Sequence, residues 1–309
     1  MAEPGAVLVP GSVLSFSGGD YEVRLDDGDV VQARLRGRLK LEARTGDRVV
    51  AGDRVRVLLP PGESPTIESV EPRRSQLVRQ APGRSHRAKV IVANVDQVVA
   101  VVAAAHPEPR LRMLDRLLVL AESSDLPAVV VVNKVDLADE AGVLERFAPY
   151  RAAGYAVLPA SAKAGVGIEE LRDRLCGRES VVTGASGVGK SSLLNALEPD
   201  LGLRIGAVSE AVGKGQHTTV TARLIPLECG GFVVDTPGLR EVGLWDVDPD
   251  SLDYLFPEFR EWLGACRFGS SCTHTHEPEC AVRDAVEAGR IDRGRWESYE
   301  QMREGERGR

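Results

Sequence analysis

Long apolar runs are missing from this chain of 309 residues. The longest, such as Val98 to Ala105, is far too short to cross a hydrocarbon core of about 30 Å. No membrane partner is therefore expected. An excess of basic charge is missing too: 39 Lys and Arg stand against 46 Asp and Glu, for a net charge of −7. That balance excludes a uniformly basic nucleic-acid coat but leaves room for a local basic face. Cysteine is scarce, five residues in all, too few for a disulfide scaffold at this length. Cys176 and Cys229 stand apart and are expected to be plain thiols. Cys266, Cys272 and Cys280 instead crowd into fifteen positions beside His274 and His276, which reads as metal ligation in a reducing compartment. The N-terminal Met-Ala-Glu-Pro-Gly has no basic region leading into an apolar one, so no signal peptide is expected. What remains is an ordinary globular composition, 43% apolar, long enough for two or three domains. A cytoplasmic, multidomain protein is the expectation.

Residues 1 to about 71 read as all-β, with short alternating runs cut by turns such as Gly18-Gly19-Asp20, Asp26-Asp27-Gly28-Asp29 and Pro60-Pro61-Gly62. Such spacing predicts a small barrel or sandwich. Within it, a strand over 34–41 would put Arg34, Arg36, Arg38 and Lys40 on one face and Leu35, Leu39 and Leu41 on the other. Such a basic face is either ordinary solvated surface or a wall that meets phosphates. Residues 73–89 hold five arginines, one lysine and no acid. They read as a linker whose field would attract a polyanion, with Arg73, Arg74 and Arg79 as candidate RNA contacts.

From about residue 90 the pattern alternates between strand and helix. Ala128 to Val132 is a continuous apolar run, as a buried parallel strand should be. Leu111, Leu114, Leu117, Leu118 and Ala121 recur at helical spacing. Thr221 to Glu228 and Phe232 to Val234 flank a Gly-Gly turn and read as a hairpin. This predicts an α/β domain with a mostly parallel sheet. Past about residue 245 the strands stop, and a charged helix is predicted around Ala281 to Glu304.

Gly184-Ala185-Ser186-Gly187-Val188-Gly189-Lys190-Ser191, followed by Ser192, fits G-x-x-x-x-G-K-[ST] between an apolar strand and a helix. The glycines let backbone N–H groups turn inward on a phosphate, and the helix N-terminus adds positive charge. Lys190 would reach the terminal phosphates, a catalytic contact, and the Ser191 hydroxyl would take a Mg²⁺ position. Asp235-Thr236-Pro237-Gly238 follows a strand, which is where a P-loop protein holds Mg²⁺ through an acid. Asn133-Lys134-Val135-Asp136 closes another strand. A carboxylate there accepts from two adjacent N–H donors, which guanine presents and adenine does not. Ser161-Ala162-Lys163 follows the next strand and would add backbone contacts to the base.

These motifs resemble those of GTPases in a rotated order, with the base-reading segments ahead of the P-loop. A barrel ahead and a Cys/His segment behind make the chain similar to the RsgA (YjeQ) family of GTPases dependent on the small ribosomal subunit. Arg73-Arg74-Ser75, Ala93-Asn94-Val95-Asp96-Gln97 and Thr273-His274-Thr275-His276-Glu277-Pro278 share in the resemblance. It implies an OB-fold barrel over 1–75, a circularly permuted P-loop GTPase domain over 76–244 and a mostly helical zinc module over 245–309. It also implies a monomer that hydrolyses GTP to GDP when stimulated by the small subunit and its rRNA.

Leu239 stands where some GTPases carry a water-orienting glutamine. The resemblance points to His217, in the glycine-bearing stretch 213–219, as the water-positioning group, and Thr219 is preferred over Thr218 for Mg²⁺. Cys266, Cys272, Cys280 and one histidine make a closed structural zinc set, one ion per chain. The resemblance favours His274 over His276, although this chain has one residue more than the family between the first two cysteines. Gly187 occupies the place where potassium-assisted relatives carry asparagine. Two other classes compete: an RNA-binding scaffold in which nucleotide acts only as a conformational ligand, suggested by Leu239, and an ATP-using P-loop enzyme, opposed by Asp136.

Overall fold

Alternation of apolar side chains builds the first elements. In a computed structural model describing residues 7–37, 39, 48–80, 88–203, 222–235 and 249–307, β1 (Val7–Ser17), β2 (Asp20–Leu25), β3 (Val30–Leu35), β4 (Arg54–Leu59) and β5 (Thr66–Val70) close into a barrel of order β1-β2-β3-β5-β4. All its pairings are antiparallel except β3 with β5. Val13, Val23, Ala33, Val55, Val57 and Ile67 are fully buried inside it, each large aliphatic contributing about 1.5–3 kcal/mol.

The predicted strand over 34–41 is shorter than expected. β3 stops at Leu35, and Gly37 and Leu39 are helical. Arg38 and Lys40 lie outside the described residues. Part of the stretch 73–89 is strand: β6 (Gln76–Gln80) pairs antiparallel with β7 (Ala88–Ala93), while residues 81–87 lie outside the described residues. Leu77 and Val92 are fully buried, so their burial overrides the basic composition.

The chain divides into two compact units. The first holds residues 1–97, 173–182 and 207–241; the second holds 98–172, 183–206 and 242–309. Next along the chain come β8 (Gln97–Ala103), α1 (Leu111–Glu122), β9 (Ala128–Asn133), α2 (Glu140–Ala152), β10 (Ala156–Pro159) and α3 (Ile168–Leu175). β8, β9 and β10 lie parallel in the order β10-β9-β8. Leu114, Leu117 and Leu118 of α1 and Phe147 and Tyr150 of α2 cover them with one apolar core. α2 starts where the Asp139 carboxylate accepts from Gly142 N at 2.9 Å, an N-cap that satisfies an otherwise orphaned donor.

β11 (Arg178–Thr183) leads through the glycine-rich loop to α4 (Lys190–Leu197). In the first unit β11 lies parallel to β13 (Gly231–Asp235), which forms the predicted hairpin with β12 (Arg223–Pro226). The expected single C-terminal helix is two, α5 (Ala281–Glu287) and α6 (Arg293–Arg307). Gly289 at φ +71° ends the first, and Asp292 accepts from Arg295 N at 2.9 Å to begin the second. Among the described residues no helix is long and apolar enough to cross a membrane.

Candidate functional site

The glycine-rich loop is shaped by close approach. Gly184 sits at φ +147°, and a Cβ there would lie 2.1 Å from the Val101 carbonyl oxygen. Gly189 sits at φ +95°, and its Cβ would lie 2.3 Å from Asn133 Nδ2. Neither site tolerates a side chain. Gly189 also caps α4 without any side-chain acceptor, so the first N–H groups of that helix are open to an anion. Lys190 is buried, and its Nζ donates to the carbonyls of Gly184 and Ala185 at 2.8 Å each. Ser191 is buried beside it.

Distant loops converge here. Asn133 donates through Nδ2 to the Val188 carbonyl at 2.8 Å and accepts at Oδ1 from Ala162 N at 3.3 Å. One buried amide thus ties the ends of β9 and β10 to the P-loop. Lys134 takes a left-handed φ of +64°, a costly conformation for a residue with a Cβ. The turn lets its Nζ donate to the Gly187 carbonyl at 2.7 Å and also to that of His106. Val135 and Asp136 lie in the 3-10 turn that follows. Ser161, fully buried, donates to Asp136 Oδ1 at 2.5 Å and accepts from Ala164 N at 3.0 Å. Asp136 and Lys163 remain exposed, so this carboxylate is held in place by Ser161 yet open to a ligand.

Other predicted residues fall elsewhere. His217 and Thr219 lie outside the described residues. Asp235 ends β13, its backbone registered against Val182, and its side chain lies outside them, as does that of Arg79. Arg34 and Arg36 are exposed and paired with Asp20 at 2.6 Å and with Glu68. Such pairs are weak, so a phosphate can replace the acid. Arg73 is put to a different use. It holds the fully buried Asp53 through two bonds of 2.7 and 3.0 Å, and a buried carboxylate does not release such a cation cheaply. Arg74 joins Asp96, Glu179 and the Asn94 carbonyl. Arg74 stays 55% exposed, and the bonds of both arginines tie them into the framework. The same holds for 93–97: Asn94 bonds Gly52 O and Arg74 N, and Gln97 bonds Ser180 and the Arg174 carbonyl.

Cys266, Cys272, His274 and Cys280 are all buried, with ligand atoms within 4.8 Å of one another. Cys266 Sγ lies 3.8 Å from Cys280 Sγ, and His274 Nδ1 lies 3.5 and 3.4 Å from those two sulfurs. A tetrahedral ion with bonds of about 2.3 Å to sulfur and 2.0–2.1 Å to nitrogen requires about 3.8 and 3.6 Å. The donor set fits. Burial pushes the Cys280 thiol up to about 12 and raises Cys272 as well, so these thiols ionise together only when a cation replaces their protons. Between the first two cysteines the chain makes a 3-10 turn over Gly269–Ser271. His276 is exposed and bonded to Thr275, outside the cluster.

Two supporting residues were not legible as such. Asp253 Oδ2 lies 3.3 Å from His274 Nε2, which leaves Nδ1 for the metal and orients the ring. Asp253 is thirteen positions ahead of Cys266, and no spacing rule points to it. Glu277 accepts from the N–H groups of Thr273, Thr275 and His276 and from the Thr273 hydroxyl. Burial alone would raise its carboxyl, but these hydrogen bonds hold it down at about 2. Its place in the Thr-His-Thr-His-Glu-Pro stretch was the only signal for it.

A family profile described as RsgA GTPase matches residues 70–245. The chain belongs to the RsgA GTPase family. It is 50% identical over 296 residues to the small ribosomal subunit biogenesis GTPase RsgA of Gemmatimonas aurantiaca, covering 95% of this chain and 96% of that one. The protein of the same name from Thermotoga maritima is 40% identical, covering 94% and 95%. The crystal structure of YjeQ from Thermotoga maritima superposes with a TM-score of 0.78 at 37% identity, covering 98% of this chain and 100% of that one. YloQ, described as a circularly permuted GTPase, gives a TM-score of 0.74 at 28% identity, covering 100% and 98%. Like other members of the RsgA GTPase family, this chain is a GTP-hydrolysing enzyme with the rotated motif order.

Proposed function

We propose that the chain binds GTP with Mg²⁺, docks on the small ribosomal subunit late in its maturation, and hydrolyses GTP faster when docked. The observation that carries this is the tie between Asn133 and Lys134 and the P-loop carbonyls of Val188 and Gly187. It supports reading 133–136 and 184–191 as one nucleotide site. Residues 184–192 take the phosphates, Asp136 takes the base, and Ser161, Ala162 and Lys163 support it. We assign Ser191, Thr219 and Asp235 to Mg²⁺, which when bound neutralises charge between the terminal phosphates. Lys190 adds charge at the γ-phosphate, and His217 positions the attacking water in place of the glutamine that Leu239 cannot replace.

Zn²⁺ is our choice for the Cys266, Cys272, His274 and Cys280 cluster, as a closed, structural site. Arg34 and Arg36, with Arg38, Lys40, Arg73, Arg74 and Arg79, are the residues we assign to rRNA backbone. We read 1–75, 76–244 and 245–309 as the RNA-facing, nucleotide-facing and metal-bearing parts of a cytoplasmic protein that works as a single chain.

The test is GTP hydrolysis with purified small subunits, large subunits and neither, over a salt series. Stimulation by small subunits alone, weakening steeply as salt rises, is the expected outcome. Equal rates in all three arms would refute the docking claim. His217→Ala should lower the stimulated rate while sparing GTP affinity; an unchanged stimulated rate removes His217 from the mechanism.

A further inference from the structure

Cys176 and Cys229 take no part in the nucleotide or metal chemistry, and they are not the plain thiols that the sequence suggests. A disulfide joins them across 53 positions of sequence, with Cα atoms 5.3 Å apart. Cys176 lies in the turn from α3 to β11, and Cys229 in the turn of the β12–β13 hairpin. The two backbones meet closely at this point. Gly177 N donates to Gly230 O at 2.8 Å, and a Cβ on Gly231 would lie 2.4 Å from the Arg178 carbonyl oxygen. The parallel ladder of β11 and β13 starts beside the cross-link at Arg178 and Gly231 and runs to Val182 and Asp235. From there one strand enters the P-loop, and the other ends in the acid assigned to Mg²⁺.

Access suits thiol exchange. Cys229 is exposed and Cys176 half-buried. Arg174 and Arg178 stand two positions to either side of Cys176 in the sequence, and Glu228 precedes Cys229. The other three cysteines are buried around His274, so the two sets are chemically separate.

We propose that Cys176 and Cys229 are a redox-exchangeable modification site that pins β11 to β13, a dithiol in reducing surroundings and a disulfide under a disulfide-class oxidant such as glutathione disulfide. The Cys176 thiolate attacks one sulfur of the oxidant and expels one glutathione thiolate. The Cys229 thiolate then attacks the Cys176 sulfur of the mixed disulfide, forms the internal bond and expels the second. The protein gives up two electrons and two protons, and the oxidant becomes two thiols. Closing a long loop restricts the unfolded chain, so the oxidised form should melt about 5 °C higher.

The full-length chain, equilibrated in glutathione buffers from reducing to oxidising, is quenched, alkylated and mapped by peptide mass spectrometry, with Tm measured in parallel. Cys176 and Cys229 should lose alkylation together, before the three clustered cysteines are affected, and regain it in the reducing buffer. The Cys176→Ser, Cys229→Ser double variant should keep the lower Tm in every buffer. The proposal falls if the pair stays alkylatable throughout, if the bond persists in the reducing buffer, or if the Tm shift survives in the double variant. Neither readout involves GTP, so this result and that of the hydrolysis test stand apart.

Discussion

The loops at 133–136, 161–164 and 184–191 and the cluster at 266–280 lie in the same unit, yet different forces hold them. The loops come from far apart in sequence and meet through side chain to main chain bonds, above all Asn133 to Val188 and Lys134 to Gly187. Glycines with positive φ make room for that approach, and the residues meant for ligand, such as Asp136, stay exposed. The cluster is local and dry. Its three cysteines are buried in one apolar core with Phe256, Phe259 and Tyr299, where aromatic rings pack 5.1–5.6 Å apart. The first set is built on backbone contacts and left open, and the second is walled in by apolar side chains.

The largest expected effect is on the walled site. Stripping the metal with a chelator should unfold the segment from 250 onward, because metal binding of this kind is worth about 10–16 kcal/mol. Loss of near-UV circular dichroism with little change in GTP affinity would support the contrast. Next is Arg295→Ala. Arg295 is buried between Asp115 at 2.7 Å and Glu258 at 2.6 Å, and its removal strands both acids, at a cost of about 3–5 kcal/mol. Urea unfolding should report that loss.

In the open site, Asp136→Asn should leave stability nearly unchanged while weakening GTP binding on the order of 100-fold, since two hydrogen bonds to a charged acceptor are lost. Equilibrium binding of a fluorescent GTP analogue measures it. An equal loss of stability would mean that this carboxylate is framework too. The smallest effect is Asp253→Asn, which should lower metal affinity about 10- to 100-fold by loosening the His274 ring. Competition with a zinc indicator resolves a change of that size.

Residue spacing revealed much of this in advance. The P-loop, the base-reading segment and the Cys/His set depend on neighbours a few positions apart, and both the order of strands and helices and the hairpin at 223–235 followed from periodicity. Bonds between remote segments were invisible. The bond between Arg73 and Asp53 was not legible because the two lie 20 positions apart. The run 34–41 read as one strand because alternation alone does not show where pairing with β5 ends. Cys176 and Cys229 read as plain thiols because nothing in their neighbourhoods reports the other.

Local sequence was sufficient for which chemistry this chain carries, since loop curvature, metal-ligand spacing and helix starts are set by adjacent residues. Which arginines are held by acids elsewhere in the chain, and which cysteines are bonded, were settled by the folded chain alone. Those outcomes depend on burial and on partners tens of residues away, and a charge or a thiol has no fixed role until its surroundings are fixed.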